Sequence, residues 1–370
     1  MNSVAVFSLV ISIVMVLAGF IFKKNKIVGC LQLLWIFLLI GLNTGGADYV
    51  GNEAIFKLSD LGFTSIFNGD LYRVLCGVFR NIGMDYVAVN AIFSLFSVLI
   101  INYIAGKHTK NKNLMFSLFM IFPMFDFIIQ KRAFLALPFD LLAIEFLFSD
   151  KKRKYLYAAL LIFIASLIHN SSYFFFLVLF LYYLREKIKD DKKFNKIVIA
   201  LIGLAFLALP IIPGYMEQMF GKGRAELYFS EGTISITSAL AWMAIHVCFV
   251  LLQRFLSKLP GDKLLEKERK YEKFVSEINI ISLVLLPLYL YESAFFRLFK
   301  VLLIINYIAV ANRASDIKNK KVFFTILTYI IYILFIFALL YIWTGYGFDI
   351  LIKPLLENNA FSNWLVGGTI

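Results

Sequence analysis

The stretch Val4–Lys26, "VAVFSLVISIVMVLAGFIFKKNK", sets the fold class. No residue from Val4 to Phe22 is charged, and Lys23, Lys24 and Lys26 follow at once. An α-helix needs about 20 apolar residues to cross the hydrocarbon of a bilayer, and a basic cluster beside such a run is the usual mark of a cytoplasmic end. No basic region precedes the run and no small-residue cleavage site follows it. The expectation is therefore a retained helix and not a signal peptide.

The same pattern recurs along the 370 residues, which are 61% hydrophobic and 16% charged, with 40 Phe and 19 Tyr. A soluble domain cannot cover that much apolar surface with so few charges. The reading is an all-α polytopic membrane protein, a single membrane domain over residues 1–370. Candidate spans are 4–22, 27–42, 87–106, 114–129, 133–148, 155–168, 172–184, 196–213, 235–256, 274–291, 295–312 and 322–343, about 12 transmembrane helices in all. The short pairs within 114–148 and 155–184 have room to turn back before crossing fully. Residues 43–86 and 214–234 form the larger loops, the first long enough for interfacial or re-entrant helices.

A net charge of +13 would suit nucleic acid, but the basic residues fall in short clusters between apolar runs. That is the positive-inside pattern, and no nucleic acid is expected. If the clusters at 23–26, 107–112, 151–154, 185–196, 254–273 and 313–321 share one side, that side holds 27 of the 37 Lys and Arg. The alternation holds across all twelve spans. This side is predicted to be cytoplasmic, with both termini outside. Cys30, Cys76 and Cys248 are widely separated and carry no metal-like spacing, so no metal is expected.

Charged groups at the opposite ends of the spans are not explained by anchoring. "DFIIQKRAFLALPFD" (126–140) puts Lys131 and Arg132 there, with Asp126 as the nearest counter-charge in sequence. The loop "NTGGADYVGNEAIF" adds Asn43, Asp48, Tyr49 and Glu53, and its continuation adds Asp70, Tyr72, Arg73 and Arg80. "LIHNSSYFF" brings His169, Asn170, Ser171 and Ser172 to a turn. "MFGKGRAELYFSEG" supplies Lys222, Arg224, Glu226 and Tyr228, and "YESAFFRLFKVLL" supplies Glu292, Arg297 and Lys300.

Ionisable residues at the bilayer carry a functional prior, and each also has a plainer reading. Arg132 and Arg297 can snorkel to lipid phosphates, Asp48 can cap the following turn or pair with a nearby Arg, and His169 can link helices through the backbone. His246, alone in mid-span, reads as structural, and Glu145 as solvated or paired at the inner end of its span. Outward-facing arginines suit a diphosphate held without metal, because guanidinium bonds phosphate oxygens bidentately and stays charged. A carboxylate or His on the same face would take the proton of an attacking hydroxyl. Together these make glycosyl transfer from a lipid diphosphate the leading chemistry.

These segments, in this order, resemble the EpsG-like, Wzy-type bacterial polysaccharide polymerases over roughly residues 30–340. The most distinctive segment is "QKRAFLALPFDLLAIEFLFSDKKRKYLYAALLIFIASLIHNSS". The resemblance implies an enzyme, a glycosyltransferase of GT-C-like architecture, in the bacterial plasma membrane. It would join undecaprenyl-diphosphate-linked oligosaccharide repeat units at the outer face, in exopolysaccharide, capsule or O-antigen synthesis, without a cofactor. Membrane lipids, a flippase and a chain-length regulator would be its partners.

In that family an acidic residue of the first outer loop is the candidate base, which here is Asp48. "TGGADY" departs from the commoner pattern, which has a bulky residue between the Asn and the Asp, so Glu53 and His169 stay open as bases. Asp48, Arg132, His169 and Arg297 form the candidate catalytic set. Tyr49, Glu53, Arg73, Arg80, Lys131, Asn170, Arg224, Tyr228 and Lys300 are candidate substrate-binding residues. Two other functions compete. A lipid-linked oligosaccharide flippase should show basic residues in a central cavity and two related halves. A membrane O-acyltransferase would need His169 on the cytoplasmic side.

Overall fold

A computed structural model describes residues 2–46, 48–59, 70–220, 234–260, 264–343 and 347–366. The helices, in chain order, are α1 Ser3–Ile21, α2 Lys26–Gly41, α3 Tyr49–Leu58, α4 Leu71–Asn81, α5 Tyr86–His108, α6 Lys112–Ile121 and α7 Met124–Ile129. They continue with α8 Lys131–Phe148, α9 Lys154–Ile168, α10 Phe174–Lys187, α11 Asp191–Ala208, α12 Ile212–Phe220, α13 Ile236–Lys258 and α14 Glu266–Ser282. The last are α15 Phe296–Arg313, α16 Lys320–Ala338, α17 Lys353–Glu357 and α18 Ala360–Leu365. Among the described residues the β pairing is limited to a single bridge, Asn43 with Asn359. Seven helical stretches are long and apolar enough to cross a membrane, and α2, α6 and α9 are shorter apolar helices. The chain is a polytopic membrane protein.

Local chemistry sets the element ends. Asn2, Asn25, Asp85 and Ser235 accept backbone N–H groups at the starts of α1, α2, α5 and α13, satisfying donors that have no partner inside a helix. Pro123, which has no N–H to offer, divides α6 from α7. Among the described residues of 43–86 there are two short helices, α3 and α4.

The predicted span 295–312 becomes the centre of the molecule. Every residue of α15 is buried except Arg297, so the helix has no solvent or lipid stripe and must be packed on all sides. Asn279 of α14 and Asn306 of α15 exchange hydrogen bonds of 2.6 and 3.0 Å. The Gln32 amide reaches the Ser117 hydroxyl at 3.0 Å. Gly19 fits because a Cβ there would lie 2.1 Å from Ser117 Oγ.

Contacts collect the basic clusters at one end. Asn113 donates to the Phe22 and Asn25 carbonyls, Lys267 to the Lys107 carbonyl, and Asn111 to the Ala311 carbonyl. Charges there are mutually neutralised. Arg313 grips Glu272 through three hydrogen bonds of 2.7–3.0 Å, both side chains being 2% exposed. Arg185 pairs with Glu277 and Asp191. Glu145 pairs with His108 and Lys107, the second of the two readings, solvated or paired, given for it. His246 is structural as read, its ring nitrogens sharing 2.8 Å hydrogen bonds with Tyr289 and Ser282.

Candidate active site

The other end of the bundle gathers Asn43, Asp48, Lys131, Arg132, His169 and Arg297. Between α8, the turn after α9 and the start of α15 lies a recess of about 310 Å³, counting its open mouth. Gln130, Asp140, His169, Ser171, Ser172 and Arg297 supply its polar lining. Phe127, Phe175, Leu298 and Val301 are among its apolar walls.

Arg297 is the part-exposed residue of an otherwise sealed helix, and it makes no hydrogen bond or ion pair with any described residue. A guanidinium half out of water and without a counter-ion is ready for an anion. Its charge reaches both His169 and Asp48. Burial, with the repulsion of Arg132 and Arg297, holds the His169 imidazole down at about 3, so the ring is neutral at physiological pH. Its Nδ1 shares a hydrogen bond with the Ser171 hydroxyl.

Asp48 occupies the N-cap position of α3, yet its carboxylate makes no capping bond, so of its two plainer readings the capping one does not hold. Although the residue is exposed, protein against one side of the carboxyl raises its pKa above the ordinary value, and Arg297 opposes the rise. Tyr49, beside it, packs on Tyr86 with ring centroids 5.3 Å apart. Burial, with Glu53 and Asp85 nearby, pushes its phenol up to about 12.

Arg132 is already engaged. Its Nη2 lies 3.3 Å from Asp70 Oδ1, it donates to the Ile168 carbonyl, and its guanidinium sits 5.2 Å from the Tyr72 ring centroid. The counter-charge expected for it, Asp126, instead binds Lys300 at 2.5 Å. That is a correction with a simple cause. Asp126 and Lys131–Arg132 are on successive helices α7 and α8, and the break at Gln130 turns the two away from each other.

The remaining candidates sort by what they touch. Lys131 is buried and donates to the Ile40 and Asn43 carbonyls at 2.8 and 3.4 Å, which ties α8 to the end of α2. Lys300 is spent on Asp126. Glu53 pairs with Lys57 one turn on, at 3.2 Å. Arg73 and Arg80 donate to the Leu58 and Lys57 carbonyls, tying α4 to α3. Asn170 lies in the short 3₁₀ turn Asn170–Tyr173. Arg224 and Tyr228, with Lys222 and Glu226, lie outside the described residues.

Two lining residues, Asp140 and Gln130, were not among the candidates. Asp140 is 2% exposed and accepts from the Ser172 hydroxyl at 2.7 Å. A signal existed, because Ala133, Ala136 and Asp140 are spaced by three and four and share one face of α8.

The first loop is held in an unforeseen way. Thr44 N donates to Asn358 O and Ala360 N to Leu42 O, while the Asn43 amide reaches Leu355 O at 2.7 Å. A Cβ on Gly45 would lie 2.6 Å from Asn358 Cβ, and Gly46 has φ +99° with Leu355 beside it. The two glycines of "TGGADY" are thus where α17 and α18 close on the loop.

A family model described as the EpsG family matches residues 26–348. No curated protein and no solved structure matches the chain.

Proposed function

Because the chain belongs to the EpsG family, we propose that this polysaccharide-polymerase-type membrane protein joins undecaprenyl-diphosphate-linked oligosaccharide repeat units at the outer face of the bacterial plasma membrane. The proposal includes twelve passes, adding α8 and α10 to the seven long and three shorter apolar helices, a GT-C-like architecture, and both termini outside. The observation that carries it is Arg297, an unpaired guanidinium on the central helix, at the mouth of a recess shared with His169 and within electrostatic reach of Asp48.

In the reaction, a hydroxyl oxygen of the acceptor repeat unit attacks the anomeric carbon of the donor glycan. The bond from that carbon to the undecaprenyl diphosphate breaks, and the diphosphate leaves with the bonding electron pair. Arg297 takes the developing negative charge through paired N–H···O bonds. Arg132 adds to this charge stabilisation while exchanging its contact with Asp70 for the phosphate. The acceptor's proton passes to the Asp48 carboxylate, whose raised pKa makes it a better base than a free Asp. His169 is too weakly basic for that role and serves as a neutral hydrogen-bonding group. Arg224 and Tyr228 would position substrate from their own loop.

Purified protein in nanodiscs, given lipid-linked repeat units extracted from its host, is expected to yield chains longer than one repeat. Failure of the wild-type protein to elongate them, with protein folded and substrate intact, overturns the reading.

A further inference from the structure

The recess holds two buried acceptor oxygens with no donor among the described residues, Asp140 Oδ1 and Gln130 Oε1. They stand out because both line the same cavity as the unpaired Arg297. A buried acceptor without a donor costs about as much as a lost hydrogen bond, so such atoms facing a cavity mark where a ligand's donors go. Asp140 is also well held for such a task. Its other oxygen accepts from Ser172 at 2.7 Å, which fixes the direction in which Oδ1 points. The small side chains of Ala133 and Ala136 line the recess on the same face of α8.

We propose that Asp140 and Gln130 form a hydroxyl-binding subsite that seats the sugar nearest the diphosphate, with that diphosphate on Arg297. This rests on the polymerase reading above and adds the residues that distinguish glycolipid from bare lipid. Two acceptors next to a cation match a group carrying several O–H donors beside an anion, which is a glycosyl phosphate. The apolar walls, Phe175 and Val301 among them, suit the C–H faces of a sugar ring.

The test is a ratio of affinities. Binding of undecaprenyl diphosphate alone and of host-extracted undecaprenyl-diphosphate-linked repeat units is measured on the full chain in nanodiscs. The variants are Asp140→Leu and Gln130→Met, which remove the acceptor oxygens; the methionine nearly keeps the volume of the glutamine. Wild-type protein should favour the glycolipid by tenfold or more. Each variant should lose about tenfold of that preference, the size of one hydrogen bond, while its affinity for the bare diphosphate stays unchanged. If Asp140→Leu does not fold, Gln130→Met reads the same subsite.

An unchanged ratio overturns the subsite, and so does equal weakening of both ligands, which would mean a structural role. A wild-type protein with no preference for the glycolipid also overturns it. Each of these results is compatible with normal elongation by the wild-type protein, whereas loss of elongation condemns the polymerase reading itself.

Discussion

Arg297 and Arg313 stand at opposite ends of α15 and invite opposite expectations. Arg313 is locked to Glu272 with both side chains 2% exposed, and removing one partner of such a pair leaves an uncompensated buried charge. Arg313→Ala should therefore lower stability by about 3–5 kcal/mol, seen as loss of folded protein in a detergent melting assay. Arg297 has no such partner, so Arg297→Met should leave the melting temperature unchanged or raised. Turnover should fall by about 100-fold or more, as when a charge-stabilising group is removed. Equal losses of stability in the two variants would refute the division of labour. Asp48 gives a second expectation with a definite sign. Its folded-state pKa is raised, so deprotonation is disfavoured by the fold, and the stability it withholds grows as pH rises through the ordinary carboxylate range. Arg297 lowers that pKa, so Arg297→Gln must move it higher. Carbodiimide labelling of Asp48 against pH, read by peptide mass spectrometry, should show the midpoint shifting upward in the variant, and an unmoved midpoint would show the two charges do not act on each other. Arg297 and His169 could be singled out in the sequence because ionisable residues at outer span ends are few, although each also had a plainer reading. The partner of Arg132 was not, because Asp70 is 62 residues away and Asp126 only six. Asp140 escaped because an acidic residue inside an apolar run does not say whether it meets a cavity or a neighbouring helix.

The elements that carry these residues are held by pieces too short to register as spans. α17 and α18 together run from Lys353 to Leu365, well under the length that crosses a bilayer. Their role rests on contacts with residues more than 300 positions away, such as Asn359 Nδ2 to Leu38 O at 2.9 Å and Ser8 with Ser362 at 2.8 Å. The matched family region ends at residue 348, so this clasp belongs to the part of the chain beyond it. Long apolar helices announce themselves by hydropathy, and those were readable. A clasp made of backbone hydrogen bonds and glycine clearances has no periodic pattern to read. Its consequence is testable at Gly45, where a methyl group would meet Asn358 Cβ at 2.6 Å, Asn358 Nδ2 at 2.8 Å and Pro354 O at 2.8 Å. Gly45→Ala should push the loop, and Asp48 with it, away from Arg297. We expect a fall in turnover of about tenfold, the scale of a small misplacement of a catalytic group, with a melting temperature lowered by only a few degrees. Adding Asn358→Gly removes two of the three close contacts and should return part of the activity. A variant that melts like the wild type and turns over at the wild-type rate would show that the clasp does not position the base.

For the whole molecule, the two ends of the bundle differ in kind and not only in charge count. One end collects the basic clusters, and among the described residues its Lys107, Arg185 and Arg313 are answered by Glu145, Glu277 and Glu272. The opposite end has fewer cations but leaves Arg297 open above a recess with unfilled acceptors. Basic residues gathered in short loops fix orientation during insertion, so the end with paired charges should face the cytoplasm and the open end the exterior. That arrangement is what a polymerase needs if its lipid-linked substrates are presented at the outer face, and it fails outright if the orientation is reversed. Single cysteines can decide it, in a background where the native Cys30 and Cys248, both exposed, are replaced along with buried Cys76. Ser3→Cys and Val366→Cys, at exposed positions near the two ends of the chain, should react with a membrane-impermeant maleimide on intact spheroplasts. Lys152→Cys and Lys318→Cys, also exposed, should react only after permeabilisation. The reverse pattern would put Arg297 and Asp48 on the cytoplasmic side and end the outer-face mechanism. Labelling of Ser3 and Val366 from opposite sides would instead require an odd number of passes, and one of the shorter helices, α2, α6, α8, α9 or α10, would have to turn back within the membrane.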